Sequence, residues 1–111
     1  MTDLKNKTCE ACRADAPLAT AAQVREYITQ LPEWKVIEID GISRLQRVFK
    51  FRDFSEALTF SGKVGAIAEE EGHHPAILTE WGRTTVSWWT HKIKGLHVND
   101  FVMAAKTDLL Y

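Results

Sequence analysis

The stretch AILTEWGRTTVSWWTH, residues 76–91, decides the fold because it predicts an antiparallel hairpin. Its return arm is rich in β-branched and aromatic residues, and Gly82 is the only glycine available to its turn. We expect Glu80 to pair with Arg83 across this turn, so that residues equally distant from it become cross-strand neighbours. The two ends of the stretch should therefore lie close together.

Histidines stand at both ends of this predicted hairpin. His73 and His74 precede it, and His91 ends it. The expected pairing puts His91 beside Gly72 and His73, and a register shifted by one residue sets it directly against His73. Side chains alternate along a strand, so the register decides whether His73 or His74 shares the face of His91. In either register we expect the three imidazoles to be close.

An earlier hairpin and a short helix precede this region. Asp40-Gly41 is a strong two-residue turn signal between two strands of alternating apolar residues. Thr20 and Gln23 fit a capping box at the start of a helix. The helix is then marked by apolar residues at helical spacing until Pro32 stops the pattern, namely Val24, Tyr27, Ile28 and Leu31.

Two further helices are predicted. Asp53 and Glu56 fit the start of the second, and Gly72 offers a left-handed stop. We expect its buried stripe to comprise Phe54, Ala57, Leu58, Val64, Ile67 and Ala68, and its interior glycines, Gly62 and Gly65, to press against the sheet. Asn99 or Asp100 is expected to cap the third helix, whose buried side is marked by Phe101, Val102, Ala105 and Leu109.

These elements predict an α+β domain in the order α-β-β-α-β-β-α. One four-stranded antiparallel sheet would carry three helices on one face, and its other face would be free for solvent or another subunit. We expect residues 1–19 to form a flexible N-terminal segment and residues 20–111 a single domain. Trp88 and Trp89 should face opposite sides of their strand, one filling the core and the other lying on the open face or lining a site.

The composition limits which classes of partner and which cellular compartment the sequence predicts. The chain has 111 residues, 45% of them hydrophobic, and a net charge of −1, so no global field favours nucleic acid or an anionic membrane. No apolar run is long enough for a signal peptide or a membrane span, which predicts a soluble cytoplasmic protein. Cys9 and Cys12 form one C-x-x-C pair, for which we expect reduced thiols; a redox pair and intermolecular zinc are the alternatives.

Histidines that converge in one cleft suit general acid-base chemistry, because imidazole changes charge near pH 6.5. Glu69 is placed to orient an imidazole, and Trp81 at the hairpin tip to supply an aromatic wall. A structural role for the histidines and a zinc site are the alternatives, but adjacent His73 and His74 should point to opposite sides, which hinders binding of one ion. The loop containing Lys92, Lys94 and His97 is predicted to be solvated, with phosphate binding the lesser alternative.

The spacing of these residues resembles the signature of the pterin-4a-carbinolamine dehydratases over roughly residues 20 to 108. The matching positions are Glu69, His73-His74-Pro75, Trp81, His91 and Asp100. The resemblance implies removal of water from a 4a-hydroxytetrahydropterin by His73, His74 and His91, without a metal or redox cofactor. It also implies that Glu69, Pro75, Trp81, Thr90 and Asp100 shape or support the pterin pocket.

The resemblance also implies partners. Members of that family recycle the tetrahydropterin cofactor of aromatic amino acid hydroxylases, so phenylalanine hydroxylase is the implied functional partner. They are dimers or dimers of dimers, and some bind a transcription factor, which leaves a noncatalytic regulatory role as the alternative. This chain departs from many relatives at Ala76 and Ile77, where they carry an aromatic residue, and at Gly72, where some carry an acidic one.

Overall fold

A computed structural model of the protein describes Leu4 and residues 17–111. The elements follow the predicted order and are α1 Ala21–Ile28, β1 Lys35–Ile39, β2 Ile42–Lys50, α2 Phe54–Glu71, β3 Ala76–Glu80, β4 Arg83–Trp88 and α3 Val98–Leu109. The four strands form one antiparallel sheet in the order β1-β2-β4-β3. The predicted fold class is confirmed.

Both hairpins have the predicted register. Ile39 pairs with Ile42 across Asp40-Gly41, and both turn residues have positive φ, 53° and 77°. Positive φ at both central positions is the backbone that matches the twist of two antiparallel strands, and Asp-Gly supplies it at little cost. Glu80 pairs with Arg83 across Trp81-Gly82, where Gly82 has φ 77°. Local turn chemistry therefore sets the sheet.

The helices cover one face of the sheet. That face contributes Leu45 and Phe49 from β2 and Val86 and Trp88 from β4 to the buried core. Polar contacts also join α2 to the sheet, since Thr84 Oγ1 donates to the Ala57 carbonyl at 2.9 Å. On the opposite face no described element covers the sheet, and residues such as Val48 and Leu78 are exposed there.

Helix α2 begins and ends as predicted. Asp53 accepts a hydrogen bond from the Glu56 amide at 2.9 Å, and Gly72 ends the helix at φ 65°. The predicted buried stripe is wrong at Phe54 and Leu58, which are 45% and 54% exposed. The side that faces the sheet is instead formed by Ala57, Phe60, Val64 and Ala68. Phe60 fixes this rotation by packing against Phe49 and Phe51.

The glycines of α2 also differ from expectation. A Cβ added at Gly62 or Gly65 would meet no atom within 4 Å, so neither glycine presses against the sheet. The expectation of close backbone packing is wrong for the chain as described.

Helix α3 starts earlier than predicted. Its N-cap is His97, whose Nδ1 accepts a hydrogen bond from the Asn99 amide at 3.0 Å. Asp100 is the third helical residue, and its Oδ2 accepts from the His97 amide at 2.8 Å. The assignment of the cap to Asn99 or Asp100 is therefore wrong, as is the burial of Leu109, which is 63% exposed. The cap of α1 is confirmed, because Thr20 and Gln23 form both bonds of the capping box.

Of the predicted N-terminal segment, the structure describes Leu4 and residues 17–19. The side chain of Leu4 is fully buried in the core, and the Leu4 amide donates to Gln30 Oε1 at 3.3 Å. The flexible segment of residues 1–19 and the domain boundary at residue 20 stay predictions. Cys9 and Cys12 lie outside the described residues. Among the helices that the structure describes, none is long and apolar enough to cross a membrane.

Candidate active site

His73 follows the end of α2 and lies on the core side of the sheet. Gly72 turns the chain in the left-handed region, and the His73 amide then donates to the Ala68 carbonyl at 3.1 Å. The imidazole is only 3% exposed and lies parallel to the Trp88 ring, with the ring centroids 5.7 Å apart. His73 is thus held by backbone geometry and by an aromatic neighbour.

A fully buried carboxylate fixes the ring of His73. Asp100 Oδ1 lies 2.6 Å from His73 Nε2, while Oδ2 accepts from Thr90 Oγ1 and from the His97 amide, both at 2.8 Å. A carboxylate with three donors is well compensated for its burial. Because α3 and the segment after β4 supply the other two donors, the third helix and the second hairpin jointly position His73.

His74 points away from His73, to the solvent side. Its Nε2 lies 3.0 Å from Glu69 Oε1, and the two side chains are 57% and 81% exposed. Glu69 stands in the last turn of α2, four positions before His73, so the helix end carries the carboxylate toward the following loop. Glu69 therefore orients an imidazole, and that imidazole belongs to His74.

His91 lies in a turn rather than on a strand. β4 ends at Trp88, and Thr90 and Gly95 then exchange backbone hydrogen bonds of 2.8 and 3.4 Å. The chain between them forms a 3₁₀ turn, His91–Ile93, followed by Lys94 at φ 52°. The expectation that the return strand continues to His91 is wrong, because Thr90 bonds to Gly95 and Asp100 and closes a loop at that point.

Two contacts orient the imidazole of His91. Its Nε2 lies 3.0 Å from the His74 carbonyl oxygen. Its ring stacks on Trp89 with centroids 4.4 Å apart and an interplanar angle of 25°. As expected, Trp88 and Trp89 face opposite sides, since Trp88 is in the core and Trp89 is outside it. The outer tryptophan supports the site rather than the core.

The three histidines border one cleft of about 330 Å³. Its lining consists of Gly72, His73, His74, His91 and Lys92. This volume is in the lower range of small-molecule sites. A second cavity of about 370 Å³ lies elsewhere, between the first half of α2 and the C-terminal residues, and no histidine lines it. Of these two cavities, only the first is bordered by histidines.

The hydrogen-bond partners assign the same tautomer to all three rings. Each Nε2 faces a group that only accepts, namely a carboxylate of Asp100 or Glu69 or the carbonyl of His74. Each Nε2 therefore carries a proton, and in a neutral ring the lone pair is on Nδ1. A histidine of this cleft can accept a proton at Nδ1 when neutral and return it when charged.

The other predicted site residues fall into two groups. Thr90 and Asp100 are 1% and 0% exposed and lie behind His73, and Pro75 connects His74 to β3. Trp81 is 74% exposed at the far tip of the hairpin, roughly 20 Å along the strand from Pro75. The structure does not bring Trp81 to this cleft, and its predicted binding role stays a prediction.

Sequence reasoning missed three contributors to the site. Lys92 lines the cleft because the turn begins at His91, and His97 caps α3 while its amide holds Asp100. Arg44 reaches the site indirectly, with its guanidinium carbon 4.0 Å from the centre of a Trp89 ring. The pattern His97-x-x-Asp100 was the available signal for the cap, although histidine is not a usual capping residue.

No metal-binding geometry is found in the part of the chain that the structure describes. No group of three or more His, Cys, Asp or Glu side chains there could hold an ion. The reason is visible in the alternation at His73 and His74, which sends one ring to the core side and the other to solvent.

Comparison with known proteins gives consistent matches. The family model described as pterin 4 alpha carbinolamine dehydratase matches residues 17–110. A curated relative that bears this family's name, from Syntrophotalea carbinolica, is 59% identical over 99% of this chain and 98% of its own. Another, from Nitrosococcus oceani, is 62% identical over 99% and 97%. A crystal structure from Brucella melitensis, titled transcriptional coactivator/pterin dehydratase, has a TM-score of 0.75 and 31% identity over 85% of this chain and 98% of that one.

Proposed function

Since the chain belongs to the pterin 4 alpha carbinolamine dehydratase family, a family of hydro-lyases, we propose that its histidine cleft dehydrates 4a-hydroxytetrahydropterin. One observation carries this proposal: His73, His74 and His91 line the same cleft, and the Nε2 of each is assigned as a hydrogen-bond donor. The product is the quinonoid dihydropterin.

The reaction needs two proton transfers. The C4a–O bond breaks as the leaving hydroxyl takes a proton and departs as water, and the proton on N5 passes to a base as the N5–C4a double bond forms. No electron acceptor is required. General acid-base catalysis of this kind contributes about 10² to 10⁴ in rate.

We assign the proton transfers to His74 and His91, which are the exposed histidines of the cleft. One ring in its neutral form accepts the N5 proton at Nδ1, and the other in its charged form protonates the hydroxyl. His73 is buried and held by Asp100, so it presents a fixed ring to the pterin. Exchange with water restores both rings after each turnover.

The remaining predicted residues support these three in our proposal. Glu69 orients His74, and Asp100 with Thr90 orients His73. Pro75 fixes the chain that leads from the cleft into β3. Trp81 would bind substrate only where another copy of the chain brings it to the cleft, because it lies far away within one chain.

We place this activity in the recycling of the pterin cofactor of aromatic amino acid hydroxylases, with phenylalanine hydroxylase as the functional partner. We also propose a homodimer or homotetramer. Support for self-association comes from the uncovered sheet face, on which Val48 and Leu78 are 45% and 56% exposed.

Stopped-flow absorbance of the decay of 4a-hydroxytetrahydropterin tests the proposed function. The wild-type protein should accelerate the decay, and His74→Ala or His91→Ala should lower kcat by about 10²- to 10⁴-fold. Lys50→Gln is the control, because Lys50 is exposed at the far end of β2. A wild-type protein that leaves the decay unchanged, or histidine variants as active as the control, would contradict the proposal.

A regulatory role is the second candidate. The Brucella melitensis structure carries both coactivator and dehydratase in its title, and this supports a binding function beside catalysis. Such a function predicts that a complex with a hydroxylase or a transcription factor survives His91→Ala. Co-elution of the purified proteins measures this, and loss of the complex together with catalysis would argue against an independent binding role.

A further inference from the structure

Trp89 has an unusual position for a large aromatic residue. Leu45 and Trp88 are paired and buried in the core, so the adjacent Arg44 and Trp89 lie on the opposite face of the sheet. Trp89 does not belong to the core cluster, and its ring contacts Arg44 on the sheet and His91 in the cleft. Filling the core therefore does not explain this residue.

Arg44 is suited to holding the indole. Its guanidinium carbon lies 4.0 Å from the ring centre, and its buried Nε has no hydrogen-bond partner among the described residues. A planar guanidinium stacks on an aromatic face in a way that an ammonium cannot. This contact with the guanidinium restricts the indole from the side of the sheet.

His91 in turn depends on the indole. Its backbone is fixed by the closed loop from Thr90 to Gly95. The imidazole makes one ring contact, the stack on Trp89, and one hydrogen bond, from Nε2 to the His74 carbonyl. The stack sets the plane of the ring, and the hydrogen bond sets its rotation within that plane. Both are needed to aim Nδ1 in one direction.

We infer that Trp89, held by Arg44, is a positioning residue that fixes the plane of the His91 imidazole for proton transfer. The inference rests on the proposed function for its kinetic consequence and on the geometry alone for its structural one. Misplacement of a catalytic group by about 1 Å can cost on the order of 10²-fold in rate. Loss of the stack should therefore lower kcat, with little change in KM because Trp89 does not line the cleft.

The kinetic test compares two substitutions at one site. Trp89→Phe keeps an aromatic face and should keep kcat within about threefold, whereas Trp89→Leu removes that face and should lower kcat by about 10- to 100-fold. Arg44→Lys keeps the charge but not the planar stack and should lower kcat by about two- to fivefold. Lys50→Gln removes a different cation from the same strand and the same face as Arg44, and it should leave kcat unchanged.

A double-mutant cycle separates positioning from general damage. If Trp89 acts through His91, Trp89→Leu should cost nothing further in a His91→Ala background. An equal loss in both backgrounds would overturn the inference, as would a Trp89→Leu variant with wild-type kcat. Wild-type protein without dehydratase activity would refute the proposed function instead.

A spectroscopic readout tests the positioning without substrate. Long-range ¹H–¹⁵N spectra of the imidazoles should show neutral His91 as a single Nε2–H tautomer in wild type and in Trp89→Phe. In Trp89→Leu the same signals should move toward a mixture of tautomers. Identical tautomer signals in wild type and Trp89→Leu would overturn the inference whatever the activity.

Discussion

At the scale of single residues, the three cleft histidines differ in what holds them. His73 is held by a buried carboxylate, His74 by an exposed one, and His91 by a backbone carbonyl. Burial strengthens an ion pair or hydrogen bond and also raises the cost of losing a partner. Substitution of Asp100, the buried partner of His73, should therefore lower stability more than substitution of Glu69, the exposed partner of His74.

Asp100→Asn tests this. An amide cannot accept from Thr90, His97 and His73 in the same way, so we expect a loss of about 1 to 3 kcal/mol in the free energy of unfolding, together with a lower kcat. Asp108→Asn is the matched control, because Asp108 accepts from Trp34 and Arg47 away from the cleft. Urea unfolding and kcat should separate the two: both variants lose stability, and only the first loses activity. Equal activity in both would contradict the role of Asp100.

The Glu80–Arg83 pair at the hairpin turn gives a pH prediction. A hydrogen bond from Arg83 lowers the pKa of the Glu80 carboxyl below its ordinary value of 4.5. Its contribution to stability is present above the unfolded-state pKa and is lost as the pH falls through the lower folded-state value. Carboxyl titration by NMR should show the Glu80 midpoint rising in Arg83→Gln. A midpoint that does not move would mean that the pair is not formed in solution.

At the scale of elements, the C-terminal end of α2 connects the fold to the chemistry. Gly72 ends the helix at φ 65°, and of the next two residues His73 is buried and His74 is exposed. A side chain at Gly72 meets no neighbouring atom, so the conformation and not the space demands glycine. The two histidines depend on that one backbone angle.

Gly72→Ala should therefore lower the free energy of unfolding by about 1 to 2 kcal/mol. Gly62→Ala is the control within the same helix, where open space and a helical backbone predict a gain of about 0.5 to 1 kcal/mol. Urea unfolding of both variants measures the contrast. If both substitutions changed the free energy of unfolding in the same direction, the left-handed conformation of Gly72 would not be the reason that glycine is needed there.

Elements set by local chemistry were predictable from sequence, and elements set by distant contacts were not. Asp40-Gly41 and Glu80/Arg83 carry their turn geometry within four residues, and both registers are confirmed. The loop at His91 depends on the hydrogen bond from Thr90 to Asp100, ten positions away. The cap at His97 depends on Asp100 only three positions away, and it was missed because histidine is not a usual capping residue. The apolar pattern predicted that Leu58 is buried, but it is exposed. The pattern does not show how α2 is rotated about its axis, which depends on the packing of Phe60 against the sheet.

At the scale of the whole molecule, the two faces of the sheet contribute different residues to the site. The covered face holds the core and His73, and the uncovered face carries Arg44, Trp89 and exposed apolar residues. The site lies where both faces meet the end of α2. The predicted hairpin was enough to show that the histidines lie close together. That His73 is buried and His74 and His91 are exposed could be seen only in the three-dimensional structure.

The uncovered face also gives a prediction on assembly. A charge on this face should oppose association of two copies, because burying an unpaired charge is costly. We expect wild-type protein to sediment above the 12.6 kDa of one chain and Leu78→Glu to shift it toward that mass. Arg52→Glu, on an exposed residue before α2, is the control. A monomeric wild type would contradict the proposed self-association.

Binding of the pterin in one cleft among three histidines can be followed by imidazole ¹⁵N spectra recorded during titration with a stable dihydropterin. We expect the signals of His73, His74 and His91 to shift together with one dissociation constant. We expect no comparable shift for His97, whose ring caps α3. Saturable pterin binding that leaves the three cleft signals unmoved would contradict binding among these histidines.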